Sequence, residues 1–191
     1  MIKIGITGGI GSGKSVVSLL MEIRGIPVYN ADLESKKLTE TSPIIRKELV
    51  SLFGKDLYKQ ERLDRKLLAS LIFTNPEYLR KVNAIIHPEV LKHFISWADK
   101  QTSTCCGIES AILFESGFNR AVHHTLLVYA PEELRMKRVM ARDHLTEEEV
   151  RNRIRNQMPE DQKREMSEYI IWNDDRKAII PQVNSFFTNY L

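Results

Sequence analysis

Eight consecutive residues, Gly8-Gly9-Ile10-Gly11-Ser12-Gly13-Lys14-Ser15, carry the sharpest chemistry in this chain. They fit the pattern G-x-x-x-x-G-K-[ST] throughout. A short apolar run, Ile2-Lys3-Ile4-Gly5-Ile6-Thr7, precedes them, and a helix-like run, Val16-Val17-Ser18-Leu19-Leu20-Met21, follows. Strand, loop and helix in that order are the context in which this pattern holds a nucleoside triphosphate by its phosphates. Glycines let the backbone close around an anion, and the exposed amides form a nest of donors. The helix that follows points its positive end at the same place. Lys14 is then expected to reach the β- and γ-phosphates, and the Ser15 hydroxyl to ligate Mg²⁺. Gly9, Gly11, Ser12, Gly13, Lys14, Ser15 and Val16 are the expected ATP contacts.

A phosphoryl group leaving such a loop needs an acceptor, and an alcohol acceptor needs a base. Asp32 follows Val28-Tyr29-Asn30-Ala31, at the carboxyl end of a second apolar run. In open α/β sheets ligands gather at that edge. A carboxylate there could orient the alcohol, take its proton, and contact Mg²⁺ directly or through water. The same residue could instead cap a helix starting at Leu33, and local sequence leaves both readings open. Glu115, after Leu113-Phe114, is a second acid with the same ambiguity: a metal contact through water, or a helix-start charge.

Arginines crowd residues 135–164. Arg135, Arg138 and Arg142 are spaced by three and four, which sets them on one helix face. An arginine closing over a phosphoryl group in flight can be worth roughly 10³–10⁵ in rate, and a lid also excludes water. Arg138 is the expected catalytic arginine, with Arg142 beside the nucleotide. The alternative is a solvated face, since Glu132, Glu133 and the acids at 147–149 could pair these cations.

The elements that must position these groups are legible in outline. The chain has 191 residues, 42% of them hydrophobic, which suits one compact unit carrying insertions. Apolar runs of strand length stand at 2–7, 26–29, 107–113, 125–129 and 169–172, separated by helical stretches. That alternation predicts an α/β fold with a parallel sheet. Residues 31–104 read as a helical insertion, with starts at Ser42-Pro43, Asp64 and Asn75-Pro76-Glu77. His87-Pro88-Glu89 repeats the last pattern and is expected to break the run. Thr146-Glu147-Glu148-Glu149 predicts a capping box. Pro181 predicts a last helix that starts late or bends.

Composition excludes some classes. Twenty-eight basic and 25 acidic residues leave a net charge of +3, too balanced to argue for nucleic acid. No run of 18 apolar residues marks a membrane span, and the opening residues lack a signal-peptide layout. Cys105 and Cys106 are adjacent, poor geometry for a bridge and without zinc spacing. They read as reduced thiols of a cytoplasmic protein, with a redox role as the alternative.

These residues together resemble the dephospho-CoA kinase family. The resemblance runs nearly end to end: the residues at 4–15, Asn30-Ala31-Asp32, Phe53-Gly54, Leu63-Asp64-Arg65, His87-Pro88, Leu113-Phe114-Glu115, Arg138, Arg142-Asp143, Arg153-Ile154, Gln157-Met158 and Asn173 fall in the family's order. It implies a three-layer P-loop NTPase fold with a parallel sheet, a helical substrate-binding insertion and a helical lid. The expected division is a core of residues 1–30, 105–134 and 166–191, a CoA-binding subdomain at 31–104 and a lid at 135–165. The implied reaction is ATP-dependent phosphorylation of the ribose 3′-hydroxyl of dephospho-CoA, the last step of coenzyme A synthesis, with Mg²⁺. Asp32 would face the acceptor hydroxyl, Arg65 and His87 become substrate contacts, and Asn173 lies near adenine. The implied partners are ATP and dephospho-CoA, with no nucleic acid or membrane, in a monomer or weak homo-oligomer. Asn30 departs from the family, which carries an acid there, so the chemical load is expected on Asp32. Ser167-Glu168 also replaces the more usual Ala-Asp.

Three rival functions have sequence tests. A sibling small-molecule kinase is closest, but adenylate kinases carry a proline in the loop, and residues 8–15 have none. A GTPase-like switch would need Asn-Lys-x-Asp, which is absent. A nucleotide-binding protein without turnover is hinted at only by Asn30.

Overall fold

A computed structural model describes residues 1–190, with 73 and 74 described by backbone alone. The chain begins with β1 (Ile2–Thr7), the phosphate loop, and α1 (Lys14–Glu22). β2 (Val28–Asn30) then leads without a linker into α2 (Ala31–Thr41). Next come α3 (Pro43–Phe53), β3 (Tyr58–Lys59), β4 (Arg62–Leu63), α4 (Arg65–Thr74) and α5 (Pro76–Ala98). The sheet resumes with β5 (Cys105–Glu109) and β6 (His124–Tyr129). The chain continues through α6 (Glu132–Asp143), α7 (Glu147–Arg155), α8 (Glu160–Met166), β7 (Tyr169–Trp172) and α9 (Ile179–Tyr190). It folds as two compact units, Met1–Asn30 with Lys100 onward, and Ala31–Asp99.

The first unit is built on a five-stranded sheet, ordered β2-β5-β1-β6-β7, with every pair parallel. Helices cover such sheets on both faces, which is why their strands read as unbroken apolar runs. β1 sits at the centre with Ile4 and Ile6 fully buried. They join Val17 and Met21 of α1, Leu126, Val128 and Ile171 of neighbouring strands, and Val183 and Phe186 of α9 in one core. Tyr169, Phe186 and Tyr190 stack in its aromatic corner, with centroids 5.0–5.8 Å apart. Pro181 falls in the first turn of α9, where a missing N–H costs little.

The third apolar run, expected as a strand over 107–113, is a strand only to Glu109. The chain turns immediately after it: the Ser110 hydroxyl accepts from the Ile112 amide at 3.2 Å. Glu115 therefore lies in the turn after β5 rather than at a strand end. Cys105 and Cys106 are free and buried, on β5. Burial pushes the Cys106 thiol up to about 11, which keeps it protonated and unreactive at neutral pH.

The second unit packs α5 against α2, α3 and α4. Ser42 caps α3, Asp64 caps α4 and Asn75 caps α5, each side chain accepting a first-turn amide. Two expectations fail here. The insertion is not helical throughout, since β3 and β4 form an antiparallel hairpin. Nor does Pro88 break the helix: α5 runs through it for 23 residues. An interior proline costs about 3 kcal/mol. Against that, Val82, Ile86, Val90 and Phe94, a buried stripe at four-residue spacing, each contribute about 1.5–3 kcal/mol. Burial wins, and Pro88 itself sits on the exposed side.

Candidate active site

The loop after β1 is shaped by what surrounds it. The amide of Ser12 donates to the Gly9 carbonyl at 3.1 Å, closing the bend. Gly13 has φ 94°, left-handed, and starts α1. A Cβ there would collide with the Asn173 side-chain amide, so both conformation and space demand glycine. Lys14 is buried, and its ammonium donates to the Gly8 and Gly9 carbonyls at 2.9 and 3.4 Å. The cation is thereby held across the bend. The Ser12 hydroxyl is buried and without a partner. A donor left unpaired beside a cation and a helix N-terminus suits an anionic oxygen. Ser15 and Val16 are exposed on the first turn of α1.

The loop's outer side is gripped by the arginine-rich region. Gln157 Oε1 accepts from the Ile10 amide at 3.0 Å. Arg135, 3% exposed, donates through Nε to the Ala130 carbonyl at 3.1 Å and through Nη1 to the Ile10 carbonyl at 3.5 Å. The Ile10 side chain packs on the cluster of Met136, Val139 and Val150 from α6 and α7. Arg135 is therefore structural, although spacing sets it on one face with Arg138 and Arg142. A cavity of about 240 Å³ opens beside it, lined by Tyr129, Gln157 and Glu160 among others.

Arg138 and Asn173 form a second tie. Arg138 Nη2 donates to the Asn173 carbonyl at 3.2 Å and ion-pairs with Asp175 at 2.5 Å. Asn173 Nδ2 in turn donates to the Ser12 carbonyl at 2.8 Å. A chain of bonds thus runs from α6 through the turn after β7 to the loop. Arg138 Nη1 is buried with no partner. Arg142 lies further out, bonded to Asp143 at 2.7 and 2.9 Å. That bond raises Arg142 and lowers Asp143 from their ordinary values.

The carboxyl edge of the sheet carries an acid that sequence reasoning missed. Asn30 of β2, Glu109 of β5 and Ile6 of β1 stand in register across three strands. Glu109 is 8% exposed and accepts from the Ser18 hydroxyl of α1 at 2.8 Å. A carboxylate thus stands in register with Asn30, one strand over. Glu115, by contrast, braces the turn: its Oε1 accepts from the Met158 amide at 2.7 Å and lies 3.4 Å from the fully buried Lys163 ammonium. Lys163 also donates to the Ala111 carbonyl at 2.7 Å.

In the second unit, Asp32 is exposed in the first turn of α2. The helix begins at Ala31, not Leu33, so Asp32 is not its cap. Arg65 pairs with Glu40 at 2.9 Å. His87 is half-buried within α5, at an interior position rather than a helix entry.

A family model described as dephospho-CoA kinase matches residues 2–178. The chain belongs to the dephospho-CoA kinase family. A protein of Bacteroides fragilis strain YCH46, named dephospho-CoA kinase, is 49% identical over 183 residues, covering 95% of this chain and 89% of that one. A crystal structure from Thermus thermophilus has TM-score 0.84 at 36% identity, covering 100% and 98%. A shikimate kinase of Acinetobacter baumannii has TM-score 0.54 at 15% identity, covering 100% and 96%, and shares the fold.

The chain is therefore a kinase of coenzyme A biosynthesis with a P-loop fold. Within a dephospho-CoA kinase the tie at Arg138 has a measurable consequence. Arg138→Ala frees the turn at Asn173 and removes a cation beside the loop. We expect kcat to fall by roughly 10²-fold, the scale of a small misplacement of reacting groups, with a smaller change in KM for ATP. Steady-state kinetics check this. A change in KM alone would make Arg138 a uniform binding contact. Among the described residues no cluster of three or more His, Cys, Asp or Glu stands ready for a metal. An ion here would draw most ligands from phosphate and water, as Mg²⁺ commonly does. The exposed Ser15 hydroxyl and the Glu109 carboxylate fit that role.

Proposed function

We propose that this chain transfers the γ-phosphoryl group of ATP to the ribose 3′-hydroxyl of dephospho-CoA. The observation that carries the reading is the glycine bend with Lys14 held across it, in a chain whose family match spans residues 2–178. The loop residues Gly9, Gly11, Ser12, Gly13, Lys14, Ser15 and Val16 bind the triphosphate. Asp32 orients the acceptor hydroxyl and takes its proton. The hydroxyl oxygen bonds to the γ-phosphorus as the bond to the bridging oxygen breaks, and ADP leaves. Lys14 and Arg138 stabilise the charge on the oxygens in transfer. Arg142 and Asn173 lie at the nucleotide, and Arg65 and His87 contact the acceptor. Mg²⁺, held by Ser15 with Asp32 or Glu109, would supply charge neutralisation at the phosphates.

The near balance of basic and acidic residues suits small anionic substrates rather than a polyanion. No helix among the described residues is long and apolar enough to cross a membrane. We place the enzyme in the cytoplasm, where ATP is abundant and free thiols such as Cys105 and Cys106 persist. It needs no partner beyond its substrates, working as a monomer or weak homo-oligomer.

Coupled ADP release across dephospho-CoA, AMP, shikimate and gluconate tests the assignment. Turnover with dephospho-CoA should exceed the others by at least about 10²-fold in kcat/KM, the scale at which a site rejects a substrate lacking its polar partners. Comparable turnover of shikimate or gluconate would assign a sibling reaction. ATP binding with no turnover of any acceptor would leave a non-catalytic nucleotide binder.

A further inference from the structure

Lys163 of α8 is fully buried. An ammonium group is costly to bury unless it is paired, so its partners indicate its role. Its Nζ donates to the Ala111 carbonyl at 2.7 Å and lies 3.4 Å from Glu115 Oε1. Both partners belong to the turn after β5. The same Glu115 oxygen accepts from the Met158 amide at 2.7 Å, in the connection between α7 and α8. Two segments distant in sequence are thus pinned together at one carboxylate.

Each of those segments also holds the phosphate loop. Beside Ala111, the Ser110 amide donates to the Ile6 carbonyl at 3.0 Å, at the end of β1 just before the loop. Beside Met158, Gln157 Oε1 accepts from the Ile10 amide at 3.0 Å. The contacts therefore close a ring that leaves the loop region at Ile6 and returns to it at Ile10. Packing is tight at the same place, since a Cβ on Gly9 would collide with the Arg135 guanidinium and the Glu160 carboxylate. A loop tied at two points to supports that are themselves tied keeps its groups in one geometry.

We propose that Glu115 is a positioning residue for phosphoryl transfer. It acts through Met158 and Gln157, which hold the Ile10 amide and with it the bend that aims the terminal phosphate of ATP. Lys163 orients its carboxylate. The proposal rests on the phosphoryl transfer given above and adds what steadies the loop during it. Phosphoryl transfer is catalysed mostly by positioning and charge, and a misplacement of about 1 Å can cost roughly 10²-fold.

Hydrogen exchange at the Ile10 amide of the nucleotide-free enzyme, together with steady-state kinetics, tests this. Glu115→Ala should speed exchange at Ile10 at least about tenfold, the scale of one lost hydrogen bond, relative to the amides of buried Ile4 and Leu126. Its kcat should fall roughly 10²-fold, with a smaller change in KM for ATP. Gln157→Ala should do the same. Because both act through one contact, the double variant should stay within about threefold of either single, where independent losses would multiply to roughly 10⁴. Glu115→Gln keeps an acceptor oxygen at the same reach and should retain most of the rate and the protection. If Glu115→Ala fails to fold because Lys163 loses its carboxylate, Glu115→Ala combined with Lys163→Met removes both charges and replaces it in each comparison. Unchanged exchange at Ile10, or losses that multiply, would overturn the brace. A fall in kcat as large in Glu115→Gln as in Glu115→Ala would assign the charge rather than the acceptor, as for a contact to metal-bound water, and would overturn it too. Exchange at Ile10 is read without substrate, so a wrong acceptor would overturn the reaction above and not the brace.

Discussion

Asp32→Asn should cut kcat by roughly 10²–10⁴, the usual worth of a positioned base, while ATP binding stays largely intact. The substitution is nearly isosteric at an exposed first-turn position of α2, so little packing changes. What is lost is a group that can accept a proton. Single-turnover kinetics with ATP and dephospho-CoA would separate chemistry from binding, and nucleotide titration would follow affinity. Near-wild-type turnover would remove Asp32 from the role. Glu109→Gln is the informative companion, because Glu109 is a buried acid at the carboxyl end of β5. If that variant loses turnover while Asp32→Asn keeps it, the base lies on β5.

Lys14→Ala is expected to damage both binding and chemistry. The ammonium bridges two carbonyls of the loop and brings a full positive charge to the bend. Removing a preorganised group that meets developing charge typically costs about 10²–10³ in kcat, and KM for ATP should rise as well. The two effects multiply in kcat/KM, which sets this variant apart from Arg138→Ala. Unchanged kcat would refute the assignment of the loop. Lys14 also holds the Gly8 and Gly9 carbonyls, so a thermal melt should accompany the kinetics.

The phosphate loop was legible because its information is local: eight adjacent residues and two flanks. The same holds for the caps at Ser42, Asp64, Asn75 and Thr146. Glu109 was not legible, because its place at the site depends on β5 lying between β2 and β1, an order that no short window contains. The hairpin of β3 and β4 was missed for a different reason. Its turn residues, Gln60 and Glu61, have φ 48° and 66°, a conformation normally announced by Asn or Gly. Pro88 misled because its local cost is real but smaller than the burial around it. Arg135 misled in the opposite way: spacing grouped it with Arg138 and Arg142, whereas its guanidinium is spent on backbone carbonyls.

The strand order also bears on how the chain is made. β1 is synthesised long before either of its sheet neighbours, since β5 begins at Cys105 and β6 at His124. Until those segments are synthesised, β1 and its glycine bend have no edge to pair with. The intervening stretch, 31–99, is a compact unit in its own right and can collapse while the first strand waits. A released fragment that ends before residue 105 should therefore protect α5 from protease and leave the nucleotide loop open to cleavage. Vectorial synthesis would finish the helical unit before the sheet that frames the glycine bend exists.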